Sequence, residues 1–266
     1  MYPDRGGAYR RGALRNILSM ALFGIQNEND FFSSHYLAEV FSYDIKEQLE
    51  GWEEQESARR EQANAASRRE LSLEEIAPHN ALRRLAAEAV LLFEALEKTH
   101  TKTESLTMQR DWNSRLLNIF GFTAIPARVA LDDDIELPLL AELKDRQGKP
   151  LLWVLEAFAA EESDTDPLTL SLDEVQLRSI SAEPVGKGAK KNGWQHLIAG
   201  PVFAQQTPPR WVLLASARQW ILIDRAKFAQ ARLLRFDWLE IFSRRETDTL
   251  KATAVLLHRE SLLVDQ

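Results

Sequence analysis

The chain contains no cysteine among its 266 residues. Disulfide bonds and thiolate metal sites are therefore excluded, and a reducing compartment is compatible with the sequence. No apolar run approaches the roughly 20 residues that a membrane-spanning helix needs, so no membrane partner is expected. The apolar segment at residues 13–25 contains Arg15 and Asn16 and is followed by polar residues instead of a small-residue cleavage site, which argues against a secretory signal. We therefore expect a cytoplasmic protein.

Several familiar catalytic patterns are also missing. The five histidines include no pair at the i, i+4 spacing of a zinc site, so no metal site of that kind is predicted. Neither a Gly-x-Ser-x-Gly nucleophile motif nor a phosphate-binding loop occurs. The net charge of −7 disfavours a protein whose whole surface binds nucleic acid, although a local basic patch remains possible.

Basic residues do cluster at two places that are predicted to be exposed. One is the glycine- and lysine-rich segment at residues 186–193, GKGAKKNG, and the other is the arginine-rich start of the chain. If the chain contacts DNA, the candidate nucleic-acid-binding residues are Lys187, Lys190, Lys191, Arg10 and Arg11. The alternative is that these charges are simply solvated surface, as charge runs commonly are.

Apolar residues at helical spacing dominate the first part of the chain. The strongest case is residues 81–98, in which Leu82, Leu85, Ala89, Phe93 and Leu96 fall on one face. Helices are predicted at residues 33–52, 81–98, 112–120, 226–235 and 248–258, the third of them ended by Gly121. The first part of the chain is therefore expected to be mainly helical.

Short runs rich in Val, Ile, Leu and Trp then predict strands. Residues 138–158 and 210–225 each contain two such runs separated by turn residues, which is typical of a β-hairpin. Trp153, Trp211 and Trp220 lie inside these runs and are expected to be buried, and residues 195–203 are expected to complete the sheet. The predicted fold class is α/β. A helical N-terminal part at residues 1–105 precedes a mixed sheet flanked by helices at residues 106–266.

The first hairpin resembles the restriction-endonuclease-like core, in which a metal-binding acid and a Glu-x-Lys triplet lie on two adjoining strands. Here the triplet position reads Glu156-Ala157-Phe158, and Leu140 stands where the acid is expected. An alternative register uses Glu142 and Lys144, with Asp133 or Asp134 as the first acid. An active nuclease would then use Glu142, Lys144 and Glu156 with Mg²⁺, which activates water and neutralises charge on the phosphate. The other interpretation is a catalytically degenerate domain in which Glu142 and Lys144 are solvent-facing strand residues.

A wider family resemblance is carried by four stretches: NENDFFSSHYLAEVFSYDIKEQLEGW at residues 27–52, WNSRLLNIFGF at 112–122, PPRWVLLASARQWILIDR at 208–225, and LRFDWLEIFSRRETDTLKATAVLL at 234–257. Together they resemble the N-terminal region of very large adenine-specific DNA methyltransferases. That group is related to type IIG restriction–modification enzymes and has relatives in phage-defence systems such as DISARM and BREX. The resemblance implies DNA, other defence-system subunits or a following methyltransferase domain as partners.

The family's methyl-transfer motif is absent from these residues. The family uses an Asn-Pro-Pro-aromatic loop, whereas the one Pro-Pro pair here is Thr207-Pro208-Pro209-Arg210. S-adenosylmethionine is therefore implied for the parent family and not for this chain, in which no cofactor is expected. The favoured interpretation is a non-catalytic module for DNA or partner-subunit recognition. The alternatives are an active metal-dependent nuclease and a protein-interaction module with no DNA role.

Overall fold

The computed structural model describes residues 22–68, 70–132, 135–159, 165–178 and 193–262. Within these residues the protein has an α/β fold. The strands are β1 (Ile25–Glu28), β2 (Ala127–Asp132), β3 (Ile135–Lys144), β4 (Pro150–Glu156), β5 (Trp211–Ala215), β6 (Gln219–Asp224) and β7 (Leu233–Asp237). The helices are α1 (Phe41–Asp44), α2 (Lys46–Ala65), α3 (Pro78–Lys98), α4 (Lys102–Ile119), α5 (Glu174–Arg178), α6 (Trp194–Leu197), α7 (Arg225–Phe228), α8 (Trp238–Arg244), α9 (Thr247–Leu257) and α10 (Arg259–Leu262).

The strands form one mixed, open sheet in the order β1-β7-β6-β5-β4-β3-β2. Among these strands β4 and β5 pair in parallel, and the other neighbours pair antiparallel. Both predicted hairpins are confirmed, as β3–β4 and β5–β6. The turn between β3 and β4 is set by Asp145, whose carboxylate accepts hydrogen bonds from the backbone N–H groups of Gln147 and Lys149, and by Gly148 at a φ of +80°.

Each face of the sheet is covered by its own hydrophobic core. Along β4, Leu152 and Val154 point to the face that is covered by α3, α4, α8 and α9. Trp153 and Leu155 point to the other face, where they pack with α6 and the helical turn that follows it. A strand that is buried on both faces has a continuous apolar run in its sequence, and β4 has such a run. Trp153, Trp211 and Trp220 are all buried, as predicted.

The N-terminal part of the chain contributes to the same sheet. Strand β1 pairs with β7, and Arg235 on β7 donates to Glu28 on β1 (2.8 Å) and to Asp166 (2.9 Å). Burial alone would lower the pKa of Arg235, but these two carboxylates raise it overall. The predicted boundary between residues 105 and 106 falls inside α4, and the larger core contains residues from both sides of it.

Two secondary-structure predictions are wrong. Residues 195–203, expected as a strand, form α6 and a π-helical turn, because Trp194, Leu197, Ile198 and Val202 follow the helical and not the two-residue period. Residues 226–235, expected as a helix, give only the short α7 before the chain turns into β7. The other helices were predicted correctly in type, including α4 with Gly121 at a φ of +78° after its end.

Candidate functional site

The parallel pair β4 and β5 places two carboxyl-terminal strand ends side by side. In open α/β sheets, ligands commonly bind in the crevice outside such ends. Glu156 is the last residue of β4, and the turn at residues 216–218 follows β5. Helix α4 crosses this edge and brings Gln109 and Arg110 to it. This edge is the candidate site, and Glu156 is its central acid.

Glu156 is held by a buried ion pair with Arg110. The Glu156 residue is only 2% exposed. The Arg110 Nε atom donates to both carboxylate oxygens, at 3.1 and 3.0 Å, and the Nη2 atom donates to Oε2 at 2.7 Å. Such a fork-shaped contact is the strong form of a charge-assisted hydrogen bond. The negative charge that a metal ion would need is therefore already neutralised by a fixed guanidinium.

Two glutamines complete the surroundings of Glu156. The Nε2 atom of Gln109 donates to the carbonyl of Ala157 (3.1 Å) and lies 3.4 Å from Glu156 Oε1, while its Oε1 atom accepts from the N–H of Ala217 (3.1 Å). Gln176 on α5 donates to the Glu156 carbonyl at 2.8 Å and to its Oε2 atom at 3.4 Å. Gln109 thus joins the end of β4 to the turn after β5, and every oxygen of Glu156 has a donor.

Glu142 and Lys144 lie together on β3. Lys144 Nζ is 3.1 Å from Glu142 Oε2, and the indole N–H of Trp153 donates to Glu142 Oε1 at 3.1 Å. The Lys144 side chain is 55% exposed, whereas that of Glu142 is 18% exposed and held by the indole. The interpretation of both as solvent-facing strand residues is therefore correct for Lys144 only.

The structure does not bring the three nuclease candidates together. Glu142 pairs across the strands with Trp153, so the two residues share a face. Glu156 lies three residues beyond Trp153 on β4 and contacts α4 on the opposite face. Phe158, in the lysine position, is buried. The sheet therefore separates Glu142 and Lys144 from Glu156.

The predicted nucleic-acid contacts cannot be placed relative to this site. Lys187, Lys190, Lys191, Arg10 and Arg11 all lie outside the described residues, as do Asp133 and Asp134. Within the described ranges, no group of three or more His, Asp or Glu side chains is arranged to hold a metal ion. No helix in the same ranges is long and apolar enough to cross a membrane.

Two cavities border the cluster around Glu156. One, of about 480 Å³, has Gln109 in its wall. The other, of about 420 Å³, lies between α4 and the β2–β3 hairpin and has Arg110 and Glu156 in its wall. Sequence reasoning missed Gln109, Arg110 and Gln176, because their importance arises from contacts with residues that are 20 or more positions away in the chain.

Comparison with protein-family models, curated proteins and solved structures found no match for this chain. The functional interpretation therefore depends on the geometry of this edge of the sheet and on the residues themselves.

Proposed function

We propose that the chain is a non-catalytic recognition module of a bacterial phage-defence or restriction–modification adenine DNA methyltransferase. Its α/β part would be a restriction-endonuclease-like domain that has lost catalysis. The module would hold DNA or a partner subunit, while a separate domain or subunit that binds S-adenosylmethionine would supply the chemistry. The four stretches at residues 27–52, 112–122, 208–225 and 234–257 support the family, and the state of Glu156 supports the loss of catalysis.

The observation that carries the proposal is the Arg110–Glu156 ion pair. A metal-dependent nuclease needs carboxylate oxygens that are open to a divalent cation. Glu156 is buried, its oxygens accept from Arg110, and a guanidinium at 2.7 Å repels a cation at that point. A lysine beside the metal commonly assists the reaction, and Phe158 cannot replace it. The geometry therefore favours a structural role for Glu156.

Cleavage is the first test. The chain, incubated with supercoiled DNA and Mg²⁺ or Mn²⁺, should leave the DNA intact. Glu142→Ala and Glu156→Ala variants separate a trace of contaminating nuclease from an activity of this chain. Divalent-dependent nicking that disappears in both variants would overturn the proposal and support the metal-dependent nuclease, with Mg²⁺ as its cofactor.

DNA binding at graded salt concentrations is the second test. If the module contacts DNA, binding should be weak and non-specific, about 10⁻⁴–10⁻⁶ M at physiological salt, because the net charge is −7. A Lys187/Lys190/Lys191 triple alanine variant should flatten the salt slope by up to about three units, one for each lost phosphate contact.

A charge-matched control makes that result specific. Lys46, Lys98 and Lys149 are exposed lysines at other places, and changing all three to alanine removes the same charge. This control should leave the slope closer to that of the unmodified chain. Equal slopes in both triple variants would remove residues 186–193 from the proposal. A complete lack of binding at low salt would favour partner-subunit recognition over DNA recognition.

A further inference from the structure

The cavity of about 480 Å³ beside Gln109 has the features of an anion site. It opens where α3 ends and α4 begins, and the segments that follow β4 and β5 form its other walls. We propose that this cavity binds a phosphoryl group, either of a free nucleotide or of a polynucleotide end. This inference goes beyond the proposed function, because neither DNA recognition nor subunit recognition requires such a site.

The first turn of α4 supplies backbone donors. The helix runs for 18 residues from Lys102, and the side chain of Thr101, its N-cap residue, makes no capping hydrogen bond. The N–H groups at the start of a helix have no partner within the helix, and the helix dipole adds partial positive charge there. A phosphate bound at such a helix start satisfies both. Lys102 and Ser105 on this turn line the cavity.

The side chain of Ser105 is a sign of a ligand that is independent of the helix start. Ser105 is only 6% exposed, and it lines the cavity one helical turn before Gln109. Its backbone N–H donates to the carbonyl of Thr101 at 3.0 Å, and among the described residues its hydroxyl has no hydrogen-bond partner. The Ser105 Oγ atom is not one of the fully enclosed polar atoms without a partner, so it reaches the cavity space and can donate to an oxygen of a group bound there.

Three basic side chains also line the cavity: His100, Lys102 and Arg218. Lys102 Nζ lies 3.0 Å from Asp173, and Arg218 forms an ion pair with Glu97. The Arg218 side chain is 13% exposed and that of Glu97 is 58% exposed, so Glu97 is the partner that can move into solvent, and the guanidinium then needs another anion. The oxygens of a phosphoryl group would take the place that a carboxylate now holds beside Arg218.

The rest of the cavity suits the group that carries the phosphate. Its volume lies within the usual range for small-ligand sites and exceeds the space that a phosphate alone fills. Leu96, Phe158 and Leu170 form the apolar part of its wall, and Thr99 and Thr165 are polar residues of that wall. A nucleotide or the terminal nucleotide of a strand has the matching combination of an anionic end and a flat, partly apolar end.

The test is a titration of the full chain with inorganic phosphate at constant ionic strength, followed through backbone amide NMR signals. The signals of Lys102 to Glu104, in the first turn of α4, should shift in a saturable way. Ser105→Ala should weaken phosphate binding by about fivefold and Lys102→Met by about tenfold, as expected for one neutral and one charge-assisted hydrogen bond. Lys98→Met is the control, because Lys98 is a nearby exposed cation that does not line the cavity.

Each outcome of these titrations either supports or overturns the inference. The inference would be overturned if the amide signals of the first turn of α4 do not shift when phosphate is added. It would also be overturned if the unmodified chain and both cavity variants bind phosphate with equal affinity. A 5′-mononucleotide and a short single strand with a 5′-phosphate, each compared with its dephosphorylated form, identify the source. Tighter binding of the phosphorylated strand indicates a polynucleotide end, and tighter binding of the mononucleotide indicates a free nucleotide. Cleavage and salt-slope results are independent of these outcomes.

Discussion

Removing the guanidinium from Arg110 should destabilise the fold strongly, and the structure sets the size of the effect. Glu156 is 2% exposed, and the Arg110 side chain is 24% exposed. An Arg110→Met variant keeps the aliphatic stem but leaves a buried carboxylate without its counter-charge. Breaking a buried ion pair in this way costs about 3–5 kcal/mol, chiefly because the remaining charge is stranded away from water.

The same helix provides a matched control. Arg115 on α4 donates to Glu88 on α3 with the same Nη2–Oε2 distance, 2.7 Å, but the two side chains are 41% and 56% exposed. An Arg115→Met variant should therefore cost only about 0–1 kcal/mol. A double Arg110→Met, Glu156→Leu variant should lose less stability than Arg110→Met alone, since no charge is then stranded.

Urea unfolding followed by circular dichroism measures all these variants. The expected order of stability loss is Arg110→Met first, the double variant second and Arg115→Met last. If Arg110→Met and Arg115→Met lose the same free energy, burial does not decide the strength of these pairs. A single Glu156→Leu variant completes the comparison. If its loss and that of Arg110→Met simply add in the double variant, the two groups are not coupled. Either outcome would refute the ion pair as a structural element of this site.

Three further changes should have measurable effects. Burial lowers the pKa of His79 and of His258, so the unfolded chain binds a proton at these residues more readily than the folded chain does. The free energy of unfolding should therefore fall as the pH drops below about 6.5. Replacing both histidines with glutamine should reduce that loss, as urea titrations at several pH values would show. Arg235→Met should cost about 1–3 kcal/mol and speed amide exchange in β1, as hydrogen exchange would show. Gly121→Ala should lower the melting temperature, because the φ of Gly121 is +78° and the new Cβ would lie 2.9 Å from a side-chain atom of α10. Gly51→Ala should raise the melting temperature, because Gly51 lies within α2 and its new Cβ would meet no other atom.

The central strands could be predicted from sequence because their burial leaves a direct pattern. In β4, every residue from Leu151 to Glu156 is buried, and in β5 all five residues are buried. Strands covered on both faces become short continuous apolar runs, which turn residues then separate. Residues 195–203 gave a similar run, and Gly200 and Pro201 within it were the sign that a paired strand could not continue there.

The geometry of the candidate site could not be predicted in the same way. Whether Glu142 and Glu156 share a face depends on the register of the β3–β4 hairpin. That register shifts twice, between Leu139 and Ala141 and again between Leu143 and Lys144. Each irregularity changes which residues stand opposite one another, and no spacing in the sequence shows where it occurs. Arg110 is likewise 46 residues before its partner, on a helix whose position is set by packing.

Two consecutive residues of α4, Gln109 and Arg110, have different tasks at this edge of the sheet. The Arg110 guanidinium holds the Glu156 carboxylate, and Gln109, the adjacent residue on α4, lines the other cavity and joins the backbone after β4 to the turn after β5. Because consecutive residues of one helix perform these two tasks, a change at Arg110 should disturb both cavities. A change at Ser105, one turn before Gln109, should disturb only the cavity at the start of α4.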